Sequence, residues 1–328
     1  MELTMKTQQL PDLMENPRFR ELIDGFSEVI KTSSEQGLAE ARKRCTEFFL
    51  NADPFRAEVK SIDNVEIEGK DKNAIALNVY TPHGVEKPPV ILYFHRGGWI
   101  FGNIAEADPV CRLLAQHLGA VVISVDYRLS PENPFPKPLE DCYAATVWAA
   151  EHAGKWGADV DKLIVCGESA GGNLAAAVSL MARDFNGPAI AAQLLIYPII
   201  TAQIDSEPYD SSPDRHFLTK EAMQFMWGAY LQSEENGNNP YASVDRAVDL
   251  SRLPPAVVVT GEYDPLHVEG SKYAEVLKSA GVMVQSKCFE AVIHGFLDLP
   301  IYDSEQKIGW VGQIKVMLDN ALRGTGSK

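Results

Sequence analysis

Five short, continuously apolar runs constrain this chain more than any other feature: Val90–Phe94, Ala120–Val125, Leu163–Cys166, Leu194–Tyr197 and Ala256–Thr260. Each has the length of a strand, and none alternates with polar residues. That is the pattern of strands covered on both faces, as in a parallel sheet. Helix-like stretches follow them at Pro109–Leu118, Leu139–His152, Ala170–Arg183 and Val268–Ala280. Strand and helix repeated this often predict an α/β fold with right-handed crossovers. Upstream, Val59, Ile62, Val65 and Ile67, then Ile75, Leu77, Val79 and Tyr80, read as paired strands joined by the polar turn Gly69–Lys72. A last strand is expected at Val284–Glu290.

Two segments break the rhythm. From Asp12 to Ser33 the apolar residues Phe19, Leu22, Ile23, Phe26, Val29 and Ile30 recur at helical spacing, giving a helix that either lies on the core or forms part of a lid. Between Pro198 and Leu253 no strand is evident, but Thr219–Gln232 reads as a helix with Ala222, Phe225, Met226, Trp227 and Tyr230 spread over more than one face. Such a helix must be sandwiched or line a cavity.

Composition narrows the partners. With 30 basic and 45 acidic side chains, the formal net charge of −15 disfavours nucleic acid and anionic membrane surfaces. No apolar run reaches the roughly 18 to 20 residues that span a bilayer, and Met1–Pro11 lacks the pattern of a secretory signal. Cys45, Cys111, Cys142, Cys166 and Cys288 are odd in number and have no metal-ligand spacing. A reduced, cytoplasmic setting without a metal site is expected.

Gly167-Glu168-Ser169-Ala170-Gly171 is a Gly-x-Ser-x-Gly sequence. The pentapeptide alone is a weak signal, but here an apolar strand runs into it and an Ala-rich helix runs out. A turn that tight would expose the Ser169 hydroxyl at a strand's carboxyl end, above a helix N-terminus that favours developing negative charge. A serine hydroxyl needs a base. Of seven histidines, His294 is the best placed, in a loop just after the last expected strand; His95 and His267 are less suitable. Asp264 follows the strand Ala256–Thr260 and is preferred over Glu262 and Glu290, because Pro265 is expected to open a helix behind it; an N-cap role for Asp264 is the bland alternative. Ser169, Asp264, His294 is the chain order of α/β-hydrolases, each at the end of a strand. His95-Arg96-Gly97-Gly98-Trp99 follows the third strand, and the N–H groups of Gly97, Gly98 and Ala170 are candidate donors for an oxyanion.

Together these motifs resemble the hormone-sensitive-lipase-like (bacterial type IV) esterases. That family carries His-Gly-Gly-Gly-Trp, Gly-Asp-Ser-Ala-Gly-Gly, Asp-Tyr-Arg-Leu-Ala-Pro-Glu, Asp-Pro-Leu and His-Gly-Phe. Here they stand as His95–Trp99, Gly167–Gly172, Asp126–Glu132, Asp264–Leu266 and His294–Phe296. The resemblance implies an α/β-hydrolase core of about eight strands, residues 51–202 and 248–328, under a helical cap built from residues 1–50 and 203–247. It implies hydrolysis of small esters with short to medium acyl chains, no cofactor, and dimerisation through the last strand and helix. Two residues depart from the family. Glu168 replaces Asp and is expected to keep the charge with little effect. Arg96 replaces the first glycine of the triple, where it would cost energy if φ were positive. It is read as a modulator that points towards the cap and narrows or polarises the pocket, as a partner for a substrate carboxylate, or as a solvent-facing bystander. Arg96 also leaves room for an alternative, a catalytically weak or inactive binding protein on the same fold.

Overall fold

The computed structural model describes residues 35–52, 55–205, 207–211 and 217–323, together with residues 17 and 20. Most of the helix expected at Asp12–Ser33 lies outside the described residues. The described chain opens instead with α1 (Glu35–Ala52), whose Leu38 and Ala41 are buried at helical spacing. There follow β1 (Ser61–Glu68), β2 (Ala74–Thr81), β3 (Pro89–Phe94), α2 (Asp108–Leu114), β4 (Val121–Val125), α3 (Lys137–His152), β5 (Asp159–Glu168), α4 (Ala170–Asp184) and β6 (Ala192–Ile196). The second part contains α5 (Glu207–Ser211), α6 (Lys220–Leu231), α7 (Glu234–Gly237), β7 (Ala256–Gly261), α8 (His267–Ser279), β8 (Val284–Phe289) and α9 (Ser304–Arg323).

The eight strands form one sheet in the order β1-β2-β4-β3-β5-β6-β7-β8. The pairs β1–β2 and β2–β4 are antiparallel, and every later pair is parallel. The α/β class and the mostly parallel sheet of the sequence reading are borne out. Alternation along each strand divides the core into two layers. Val90, Leu92 and Phe94 face a cluster shared with α3, α4 and α8, whereas Ile91 and Tyr93 face one shared with α2 and α9. Buried on both sides, these strands have no polar face, which is why their sequences run apolar without a break. The exceptions are the two edge strands, β1 with exposed residues at Asp63, Asn64 and Glu66, and β8 with Ser286 and Lys287 exposed.

One detail differs from the sequence expectation. Pro265 does not open α8; it belongs to the turn before it, and the helix begins at His267. The apolar spread of α6 has the causes expected of it: the helix packs into the core, and Met226 also lines a cavity. Its Tyr230 ring stacks on Trp99 at 4.3 Å and meets Phe135 edge-on at 5.7 Å, and Trp227 lies 4.5 Å from Trp99. The Thr219 hydroxyl caps this helix, accepting from the Ala222 N–H.

Candidate active site

The parallel strands all end on one edge, and the chain reverses its direction of winding there: β4 pairs on one side of β3 and β5 on the other. Loops after β3 and β5 therefore splay around a crevice, the usual ligand position in open α/β sheets. Ser169 sits between β5 and α4 at φ 54° and ψ −115°. That backbone is strained for any residue with a Cβ. It persists because it is held on both sides. The Ser169 N–H donates to Ile196 O at 3.0 Å, and the Ser169 carbonyl accepts from the N–H groups of Asn173 and Ile199, each at 3.1 Å.

The structure brings Ser169, His294 and Asp264 together. The His294 ring places Nε2 3.0 Å from Ser169 Oγ and Nδ1 2.8 Å from Asp264 Oδ2. An ionised carboxylate only accepts, so the proton sits on Nδ1 and Nε2 is free to accept from the serine. The other carboxylate oxygen, Oδ1, accepts from the Leu266 N–H at 2.8 Å, so both oxygens of the buried Asp264 are occupied. The Tyr197 ring meets the imidazole edge-on at 4.9 Å. The rival residues do other work. His95 stacks on Tyr127 at 4.1 Å and donates from Nδ1 to the Arg96 carbonyl. Burial pulls its pKa down to about 4. His267 pairs with the Thr260 hydroxyl, and Glu262 accepts from the Ala291 N–H.

The loop after β3 brings Gly97 (φ +114°) and Gly98 (φ +58°) to the wall of the same cavity as Ser169. A Cβ at Gly97 would run into the Phe101 carbonyl, and one at Gly98 would meet Met226 Sδ, so backbone alone fits here. The turn's own bonds run from the Ile100 and Phe101 N–H groups to Gly97 O and leave the glycine N–H groups unspent on it. Ala170 starts α4 directly after the serine. The cavity measures about 50 Å³ and is closed in by Phe49 of α1, Phe217, Leu218, Met226 of α6 and Leu299. A larger cavity of about 700 Å³ lies between residues 200–209 and α8, touching neither Ser169 nor His294.

Arg96 lies outside the positive-φ region, so the anticipated backbone cost does not arise. Nor does it face solvent: its side chain is 13% exposed and forms an ion pair from Nε to Asp298 Oδ2 at 2.6 Å. Glu168 departs from expectation. It is fully buried, accepts hydrogen bonds from the Tyr93 and Tyr197 hydroxyls, and lies beside Asp298. Burial, then the neighbouring Asp298, pushes its carboxyl well above the ordinary range, so it does not simply keep the charge of the aspartate it replaces. The sequence reading missed Asp298, Glu106 and Phe49. The first two had no local signal, but Phe49 continues the spacing of Leu38, Ala41 and Cys45 in α1.

Residues 91–298 match the family described as the alpha/beta hydrolase fold. The chain belongs to that family. Among the relatives of this α/β-hydrolase, carboxylesterase NlhH of Mycobacterium tuberculosis is 33% identical over 303 residues, covering 91% of this chain and 93% of that protein. An arylesterase of Saccharolobus solfataricus is 37% identical over 262 residues, 80% of this chain and 85% of that one. The solved structure of the hyperthermophilic esterase from the archaeon Pyrobaculum calidifontis superposes with a TM-score of 0.80 at 36% identity, over 93% of this chain and 98% of that chain. The resemblance to hormone-sensitive-lipase-like esterases, drawn from the motifs, holds for this α/β-hydrolase. No helix among its described residues is long and apolar enough to cross a membrane.

Proposed function

We propose that the protein is a carboxylic-ester hydrolase that works by two-step acyl transfer on Ser169. The observation that carries this reading is the unbroken chain of hydrogen bonds from Ser169 Oγ through His294 to Asp264, 3.0 and 2.8 Å long, beside two glycine N–H groups. The esterase names of its relatives point the same way.

In this reading His294 Nε2 takes the hydroxyl proton as Ser169 Oγ attacks the ester carbonyl. Asp264 holds the imidazole in the required tautomer and stabilises the imidazolium. The N–H groups of Gly97, Gly98 and Ala170 hold the oxyanion, each contributing about 3 kcal/mol to the transition state. His294 returns the proton to the departing alcohol, and water repeats the sequence on the acyl-enzyme. Residues 35–50 of α1, with the segment 203–247 that contains α6, act as a cap over this core. Phe49, Phe217, Leu218 and Met226 line the substrate's apolar part, which fits short to medium acyl chains.

The test is hydrolysis of p-nitrophenyl esters from acetate to laurate by the parent and by Ser169→Ala. Turnover by the parent that disappears in the variant is expected, with an optimum among the shorter chains. Undiminished turnover in Ser169→Ala would overturn the assignment.

A further inference from the structure

Arg96 directly precedes the two glycines, and its side chain is held by partners from two distant parts of the chain and by one from its own β3–α2 connection. Nε lies 2.6 Å from Asp298 Oδ2, and Nη1 lies 3.7 Å from Glu106 Oε2. The guanidinium carbon sits 3.5 Å from the ring centroid of Phe49 in α1. Asp298 belongs to the turn that follows His294, where its own N–H and that of Leu299 both donate to the Gly295 carbonyl. Glu106 is tied to α1 as well, accepting from the Thr46 hydroxyl at 2.6 Å. Backbone, side chain and ring contact thus join the glycine loop, the histidine loop and α1 at one group.

No ladder of hydrogen bonds sets the glycine loop against the histidine loop. They follow β3 and β8, which are separated by β5, β6 and β7, about 19 Å across at roughly 4.8 Å per strand. We propose that Arg96 is a positioning residue for the reaction: its ion pair with Asp298 fixes the N–H groups of Gly97 and Gly98 relative to the His294 ring, with Phe49 keeping the guanidinium plane in place. The proposal rests on the serine-hydrolase reading above. A planar guanidinium suits this task because its donors are fixed in direction, which a lysine ammonium does not offer. The pair is buried, at 13% and 5% exposure, so water and salt do not loosen it. The Nε–H is thereby committed to Asp298.

The experiment compares Arg96→Lys, Arg96→Gln, Asp298→Asn and the double variant Arg96→Gln/Asp298→Asn with the parent on p-nitrophenyl acetate. Active sites are counted by p-nitrophenol release from a p-nitrophenyl phosphonate, and thermal midpoints are recorded. Displacing reacting groups by about 1 Å costs on the order of 100-fold, so kcat per counted site is expected to fall roughly 10- to 100-fold in each single variant, with little change in KM. The double variant is expected to be no slower than the slower single one, because both remove the same contact. Arg96→Lys keeps the charge opposite the buried carboxylates and folds even where Arg96→Gln does not; its kcat is expected to fall about 10-fold at a near-parental thermal midpoint. Parental kcat per site in Arg96→Lys or in Asp298→Asn would overturn the proposal. So would losses that multiply in the double variant, or changes confined to KM or to the thermal midpoint. Ser169→Ala is measured alongside: turnover surviving there would sink the serine reading itself, whatever the Arg96 variants do.

Discussion

Replacing Asp264 by Asn tests the proton arrangement with almost no change of shape. In the parent, Oδ1 accepts from the Leu266 N–H at 2.8 Å and Oδ2 accepts from His294 Nδ1–H at 2.8 Å. The asparagine has one oxygen and one NH2 to set against two donors. A main-chain N–H cannot become an acceptor, so the amide oxygen stays with Leu266 and the NH2 turns towards His294. There it can only donate, and Nδ1 must give up its proton to accept. The proton moves to Nε2, which then has no lone pair for the Ser169 hydroxyl. Loss of the correct tautomer in a catalytic triad is worth roughly 10⁴ in kcat, or about 5.4 kcal/mol. Stability should move by only about 1 kcal/mol, because the Leu266 bond survives and one hydrogen bond is exchanged for another. The assay is kcat on p-nitrophenyl acetate at neutral pH, with urea unfolding of the same preparations. A folded Asp264→Asn variant that retains more than about one per cent of parental kcat would refute the tautomer argument.

Four further outcomes follow from geometry and burial. Gly97→Ala should lose about 100-fold or more in kcat, since its Cβ meets a backbone carbonyl that cannot give way. Gly98→Ala meets a methionine side chain instead, so adding Met226→Ala should restore part of its kcat; equal rates in the single and double variants would count against this. His95 is neutral when folded, with its pKa lowered to about 4. Stability should therefore fall as pH drops from about 6.5 towards 4, by up to about 3 kcal/mol, because only the unfolded chain takes up the proton. Urea titrations of the parent and His95→Gln from pH 7 to pH 4 would reveal a constant difference if that is wrong. Glu269 has the opposite sign: burial pushes its carboxyl up to about 8, so the folded protein loses stability as pH rises from about 4.5 to 8. Glu269→Gln should gain about 2 kcal/mol on the parent at pH 8.5, a figure reduced because the group borders an open cavity, and nothing at pH 4.5. A thermal-midpoint difference that does not change with pH would exclude this origin.

Much of the fold was legible because burial on two faces leaves a one-dimensional trace. The runs at Val90–Phe94 and Ala256–Thr260 could be read as inner strands without knowing their neighbours, and β3 and β7 stand there. Ser169, Asp264 and His294 were legible for a related reason. Each lies next to a strand end, and strand ends were already placed. Arg96 was visible only as an oddity, since its partner Asp298 lies 202 positions away and nothing local to either residue announces the pair. Glu168 was misjudged because charge is a property of surroundings: the same carboxyl on the surface would be ionised, whereas a dry interior and the neighbouring Asp298 favour the proton, against the hydroxyl bonds from Tyr93 and Tyr197 that support the charge. The place of Pro265 was misjudged for want of a local rule, although the stretch expected at Val268–Ala280 matches α8 closely. Pro265 suits a first helical turn, but Asp264 Oδ1 binds the Leu266 N–H and holds that stretch as a turn.

The order of strands has a consequence in time. About 200 residues separate Gly97 from His294, which amounts to about 10–40 s at roughly 5–20 residues per second of synthesis. Through that interval the glycine loop, and later Ser169, are already made, but no base can reach the hydroxyl. The edge of β7 is meanwhile uncovered, and an open strand edge is a template for pairing with another chain. β8 closes that edge and leads directly to His294. Ester hydrolysis by a growing chain would therefore begin only when the sheet has been sealed, so the onset of activity and the end of exposure to aggregation would coincide.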